Sequence, residues 1–260
     1  MGLPPELSTA LDLAATVPRL LVTSDFDGTL SPIVNNPADA RPLPEAGRAL
    51  AELAQLPSTA AALISGRALR DLRVLSSMPS TVHLVGSHGA EFASGFAHDI
   101  DLELLQAITD TLRSIASGKP GVTVETKPAS VALHVRNASP ADGESALQEA
   151  RSASETWNAH ATAGKAVLEF AVISTDKGEA IDILRERHEA SAVVFFGDDV
   201  TDEKAFRRLR DGDVGVKVGP GDTLAGFRID APDDVAAALS HLLDARRRLS
   251  GQQSPGHLTY

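Results

Sequence analysis

Five short apolar runs separated by helical segments constrain this chain more than any other feature. They fall at residues 20–24, 60–64, 82–85, 193–196 and 214–218. Each is near-continuous rather than alternating, the pattern of parallel strands covered on both faces. Between or after them, residues 45–55, 68–75, 201–209 and 235–249 read as helices. Strand and helix in alternation predict an α/β fold with a doubly wound, mostly parallel sheet. In such a sheet, chemistry gathers where the strands end, at the carboxyl edge.

The stretch 97–172 breaks the pattern. It reads as helix 101–116, strand 122–126, strand 131–135, helix 141–160 and strand 166–171. Two strands joined by Lys127-Pro128-Ala129-Ser130 predict an antiparallel hairpin, unlike the flanking sequence. The expected organisation is therefore a core in two parts, 1–96 and 173–260, interrupted by an α/β insert at 97–172. A chain of 260 residues has room for both. Asp176-Lys177-Gly178-Glu179 restarts the core, with Asp176 and Glu179 spaced as a capping box. Only the tail, 250–260, reads as loosely ordered.

Composition excludes several functions. A net charge of −11 argues against nucleic acid and against an anionic membrane surface as partners. It also requires any anion site to be built locally, from metal, Lys, Arg and backbone N–H groups. The absence of Cys removes disulfides, thiolate metal sites and a Cys nucleophile. The first apolar stretch is broken by Asp12, Pro18 and Arg19, so neither a conventional secretion signal nor a membrane span is expected. A cytoplasmic protein is the expectation. Oligomeric state is not legible here, and a monomer is the default.

The run at 20–24 feeds directly into Asp25-Phe26-Asp27-Gly28-Thr29-Leu30. Two carboxylates two residues apart point the same way along an extended backbone, and the first can attack phosphorus. Asp27 would protonate the leaving oxygen and later deprotonate water. Gly28 allows a sharp turn and a close approach of backbone N–H groups to an anion. The competing reading is a strand that ends in an Asp N-cap. Ser65, closing the run at 60–64 before Gly66-Arg67, can hold a phosphoryl oxygen, although Ser-Gly is also an ordinary turn. Lys177 stands at a helix start, where the helix dipole disfavours a cation and an anion to meet would explain it.

Gly197-Asp198-Asp199-Val200-Thr201-Asp202-Glu203 follows a buried run. So many carboxylates there are expensive unless a cation compensates. Mg2+ takes oxygen ligands and keeps several waters, so Asp25, the Asp27 carbonyl and Asp198 would suffice from the protein. Asp199 and Asp202 would orient waters or Lys177 from behind. Helix capping by Asp199 or Thr201 accounts for one or two of these residues only.

Asp25-Phe26-Asp27-Gly28-Thr29, Ser65, Lys177 and Gly197-Asp198-Asp199 match, in order, the four motifs of the haloacid dehalogenase superfamily, which the chain resembles. More narrowly it is similar to the trehalose-6-phosphate phosphatase family. That likeness rests on residues 197–203 and on Ser65-Gly66-Arg67, Ser87-His88-Gly89-Ala90-Glu91, Val131-Ala132-Leu133-His134-Val135-Arg136 and Gly164-Lys165-Ala166-Val167-Leu168-Glu169. The resemblance implies a superfamily core with an α/β cap, and a Mg2+-dependent phosphatase that acts through an aspartyl-phosphate on a sugar phosphate. It also implies that Lys127, Arg136, Lys165 and Glu169 face the sugar, with Arg67, His88 and Glu91 binding substrate from the core. One departure stands out. The family carries a basic residue and a Pro shortly after the cap's final Glu, whereas Phe170-Ala171-Val172-Ile173-Ser174 follows Glu169 here. Another sugar phosphate, such as sucrose 6-phosphate, and a non-catalytic regulatory domain are the alternatives.

Overall fold

A computed structural model describes residues 2–173 and 175–252, the last three by their backbone alone. Ser174 and the tail beyond 252 therefore lie outside the described residues. The chain forms two compact units, one running to Gly95 and resuming at Thr175, the other beginning at Phe96.

The larger unit is built on six parallel strands: β1 (Leu20–Ser24), β2 (Thr59–Ile64), β3 (Val82–Val85), β10 (Ala192–Gly197), β11 (Val214–Val218) and β12 (Phe227–Ile229). Their order across the sheet is β12-β11-β10-β1-β2-β3. The chain winds outward in one direction from β1 and in the other from β10. The β1/β10 boundary is therefore a topological switch point, where a crevice opens at the strand ends. All five apolar runs are strands of this sheet. The short β12 completes its edge.

Alternate residues of the strands serve two layers. Leu20, Val22, Val194, Phe196, Val214, Val216 and Val218 pack with α1 (Pro5–Ala15), α2 (Pro44–Leu53) and α8 (Pro232–Gln252) in one continuous core. In α1, Leu7, Leu11, Ala14 and Ala15 are buried, so four-residue spacing turns one stripe inward. The intervening strand residues face α6 (Lys177–His188) and α7 (Asp202–Arg208). Phe195, for instance, meets Phe206 of α7 with ring centroids 5.2 Å apart. The short α3 (Leu69–Ser76) precedes β3, and a two-stranded ribbon, β4 (Glu91–Phe92) and β5 (Gly95–Phe96), follows it.

The smaller unit has a four-stranded antiparallel sheet in the order β6-β7-β9-β8. Its strands are β6 (Thr123–Thr126), β7 (Ser130–His134), β8 (His160–Gly164) and β9 (Val167–Ala171). Helices α4 (Leu102–Ala116) and α5 (Pro140–Ser154) supply Leu105, Ile108, Leu112, Ala146 and Ala150 to a core with Val131, Leu133, Leu168 and Phe170. The β6–β7 hairpin is antiparallel, with Thr126 opposite Val131. The expected helix 141–160 stops instead at Ser154. Trp157 packs edge-on against Phe170, with centroids 5.0 Å apart, and the chain then enters β8. All five β8 residues are exposed, so this edge strand has no apolar alternation to announce it. Among the described residues no helix is long and apolar enough to cross a membrane.

Candidate active site

Strand β1 ends by delivering Asp25, whose N–H donates to the Phe196 carbonyl of β10 at 2.9 Å. The following loop is tied by Ser31 N–H to the Phe26 carbonyl (2.8 Å) and Gly28 N–H to the Ser31 carbonyl (2.7 Å). Gly28 has φ +83°, and a Cβ there would lie 2.1 Å from Oδ2 of Asp198. Only glycine admits that approach. Across the switch point, a Cβ on Gly197 would lie 2.5 Å from Cγ of Asp202. The space above this glycine thus belongs to the Asp202 carboxylate.

Asp202, fully buried at the start of α7, has both oxygens engaged. Its Oδ2 accepts the N–H groups of Asp198 and Asp199, each at 2.9 Å. Its Oδ1 accepts from Lys177 Nζ at 2.7 Å. The same ammonium lies 2.9 Å from Oδ1 of Asp25. Lys177 therefore bridges two carboxylates in a buried setting, and its place at the N-terminus of α6 answers to them rather than to the helix dipole. Asp176 caps that helix, accepting the Glu179 N–H at 2.9 Å. Asp199 turns its Oδ1 to the Val200 N–H (2.6 Å), which shapes the loop.

The electrostatics are unbalanced. Burial pushes the Asp25 carboxyl up to about 8, with the charges of Asp202 and Asp198 adding and Lys177 opposing. Asp198 is also raised, again chiefly by burial, against the Thr29 hydroxyl that donates to its Oδ1 at 3.0 Å. Burial alone would lower Lys177, but Asp25 and Asp202 outweigh it and hold the ammonium above the ordinary lysine value. Oxygens of Asp25, Asp198 and Asp202 lie within 4.8 Å of one another. Because Asp202 spends both oxygens on the lysine and the loop, Asp25 and Asp198 are the carboxylates with capacity to spare. A hard, oxygen-seeking divalent cation such as Mg2+ fits this donor set and relieves its excess negative charge.

On the other side, Ser65 ends β2 buried, its N–H bonded to the Val85 carbonyl at 2.9 Å. Its Oγ accepts the Arg67 N–H at 3.2 Å, which leaves the hydroxyl proton to donate elsewhere. The Arg67 guanidinium forks onto Asp27, Nε to Oδ2 and Nη2 to Oδ1, both at 2.6 Å. His88 adopts a left-handed backbone (φ 56°), and its N–H binds the Ser65 carbonyl at 2.9 Å. Its ring covers Gly66, where a Cβ would come 2.4 Å from Cε1. Glu91 accepts the Leu69 N–H at the start of α3 (2.7 Å) and the Ser87 hydroxyl (3.3 Å). Arg67 and Glu91, expected to meet substrate, thus have definite partners inside the larger unit.

In the smaller unit Lys127 Nζ donates to Oε2 of Glu169 (2.9 Å) and the Ser130 hydroxyl to Oε1 (2.6 Å). Glu125, Ala132, Glu169 and Thr162 are successive partners across the four strands. With Leu168 and Phe170 turned into the core, this row lies on the sheet face away from the helices. His134 Nε2, 2.8 Å from Oε2 of Glu125, joins the same polar face. Arg136, just past β7, and Lys165, in the β8–β9 turn, are exposed.

Sequence reasoning passed over Glu125, Ser130 and His134, and also Lys217 of β11. The signal for the last was a lysine inside the otherwise uncharged run Val214-Gly215-Val216-Lys217-Val218.

The order in which the chain delivers its carboxylates, serine and lysine to one sheet edge is that of the haloacid dehalogenase superfamily, and the molecule is of that class. Within it, the chain belongs to the trehalose-phosphatase family, whose profile matches residues 23–226. A trehalose-phosphate phosphatase of Mycobacterium marinum is 35% identical over 240 residues, covering 85% of this chain and 60% of that protein. The chain thus spans about 60% of the length of that mycobacterial relative. The trehalose-6-phosphate phosphatase of Escherichia coli is 34% identical, with 85% of each chain covered. Among solved structures, a trehalose-6-phosphate phosphatase of Aspergillus fumigatus superposes with a TM-score of 0.70 at 27% identity, covering 94% of this chain and 98% of that one.

Proposed function

We propose that the chain is a Mg2+-dependent phosphatase that hydrolyses trehalose 6-phosphate to trehalose and phosphate, acting in the cytoplasm. The observation that carries the chemistry is the buried Lys177 bridge between Asp25 and Asp202 beside the raised carboxyl of Asp198. The family and its named relatives support the sugar.

Asp25 is the nucleophile, attacking phosphorus in line to form an aspartyl-phosphate. Lys177 holds the Asp25 carboxylate in one orientation and neutralises charge building on the phosphoryl oxygens. The Ser65 hydroxyl donates to one of those oxygens. Asp27 gives a proton to the leaving sugar oxygen and then takes one from the attacking water. With both oxygens accepting from Arg67, Asp27 must release at least one of these bonds before it can donate a proton. Asp25, Asp198 and the Asp27 carbonyl would hold Mg2+. When bound, the ion supplies positive charge that keeps Asp25 ionised and draws a phosphoryl oxygen into place.

Lys127 and Glu169 on the polar sheet face of the smaller unit, with Arg136 and Lys165 beyond the strand ends, read the sugar. Charged groups there can hydrogen-bond paired hydroxyls in fork geometry. Phosphate release from trehalose 6-phosphate, sucrose 6-phosphate and glucose 6-phosphate tests the assignment. Trehalose 6-phosphate should be turned over fastest, and mass spectrometry of a quenched reaction should find the phosphoryl group on Asp25. Equal rates on all three would reject the sugar, and a phosphoryl group on Asp198 or Ser65 would reject the mechanism.

A further inference from the structure

Lys217 belongs to the site by position as well as by contact. In the sheet register it stands opposite Gly197, the residue just before Asp198. Gly197 follows Phe196, whose carbonyl holds the Asp25 N–H, so Asp25, Gly197 and Lys217 form one row across β1, β10 and β11. Val214, Val216 and Val218 enter the core beneath α1, α2 and α8, which turns Lys217 to the opposite face, the one carrying α6 and α7. It is 4% exposed. Burying an ammonium is costly, and it persists only where something requires it. Among the described residues its hydrogen-bond partner is not a carboxylate but the main-chain carbonyl of Asp198.

Asp198 lies beyond the end of β10 in irregular backbone, so no ladder fixes its peptide. Its polar atoms are instead fixed one by one. The N–H is held by Asp202 from α7, Oδ1 by Thr29 from the loop after β1, and the carbonyl by Lys217 from β11. Oδ2, beside Gly28, is not used by these three contacts, and the Asp198 carboxyl also meets the side chain of Asp25, with which it would share a cation.

We propose that Lys217 is a positioning residue for the metal site: by anchoring the Asp198 carbonyl it aims the Asp198 carboxylate at the cation shared with Asp25. The assignment rests on the Mg2+ reading above. It makes a prediction of sign. A buried cation acting only by its charge would repel Mg2+, so its removal would tighten binding. A cation that positions a ligand does the reverse.

The absence of Cys allows a clean test. Lys217→Cys gives a single thiol, which 2-bromoethylamine, applied in denaturant before refolding, converts to an ammonium of nearly lysine length. Mg2+ affinity is then measured by calorimetry without substrate, beside wild type carried through the same treatment. The expected result is binding weakened roughly ten- to a hundredfold in Lys217→Cys, the range for lost partners of metal ligands, and largely recovered after aminoethylation. Unchanged or tighter Mg2+ binding in the folded variant overturns the proposal, as does weakened binding that aminoethylation leaves unrestored. Wild type that takes up no Mg2+ would instead remove the metal reading itself. If the cysteine variant does not fold, 15N-lysine-labelled wild type decides. Exchange of the Lys217 ammonium protons with water should slow when Mg2+ is added, and unaltered exchange is the contrary result.

Discussion

Asp25 and Asp27 are the same residue type two positions apart, and their surroundings divide the work between them. Asp25 is buried against a lysine and two carboxylates, whereas Asp27 is partly exposed and clamped by Arg67. The proposed roles separate in substitution. Asp25→Asn should abolish turnover of every substrate, because no phospho-enzyme can form. Asp27→Asn should lose at least about tenfold more activity on a sugar phosphate than on p-nitrophenyl phosphate, since a phenolate leaves without needing a proton. Comparable losses on both substrates would argue against Asp27 as the acid. Ser65→Ala, which touches only the phosphoryl group in this scheme, should impair both substrates to a similar degree.

Secondary elements were legible where burial writes a pattern. The five apolar runs became strands of the six-stranded sheet, whereas β8 is wholly exposed and carries none. At this scale two features bear on stability, one half-buried and one buried. His83 of β3 and His188 at the end of α6 meet with ring centroids 4.5 Å apart and planes tilted by 49°. Both are held below the ordinary 6.5, chiefly by burial, with Arg187 adding its charge. The native state therefore prefers them neutral, while the unfolded chain takes up protons near 6.5. Below that pH the unfolded state binds more protons, so stability is retained above it and lost as pH falls. Urea midpoints measured from about pH 7.5 down to 5.5 should decline, and His188→Leu should flatten the slope.

Arg246 of α8 donates to the carbonyls of Ala15, Val17, Pro18 and Ser58 and to the Thr59 hydroxyl, stitching the entries of β1 and β2. Arg246→Met strips several carbonyls of their donor at once. The loss should be about 2–4 kcal/mol in denaturant unfolding. The kcat of the folded variant should stay near wild type, because these contacts lie at the strand starts and the chemistry at the strand ends.

For the whole molecule, the division into two units suggests a division of labour. If the smaller unit reads the sugar, Arg136→Ala or Glu169→Ala should reduce turnover of trehalose 6-phosphate at least about tenfold, the equivalent of one charge-assisted contact of about 1.4 kcal/mol. Slow hydrolysis of p-nitrophenyl phosphate, which lacks the sugar, should be largely retained. Equal losses on both substrates, with folding intact, would place the chemistry and the recognition in the same residues.

The sequence by itself determined the sheet and the residues that carry charge to its edge. Continuous apolar runs can be satisfied only as covered strands, and polar residues ending such runs must emerge together where the strands stop. It could not determine which side chains would take each other as partners. That Arg67 grips Asp27, that Glu91 turns to the start of α3, and that Asp202 gives both oxygens to Lys177 and the Asp198 loop are outcomes of tertiary packing. Lys217 is the sharpest case. Its position in the run is plain from the sequence, but the partner it takes is a carbonyl just past the end of the neighbouring β10. A hydrogen bond to backbone has no residue type to give it away, so only the folded chain decides it.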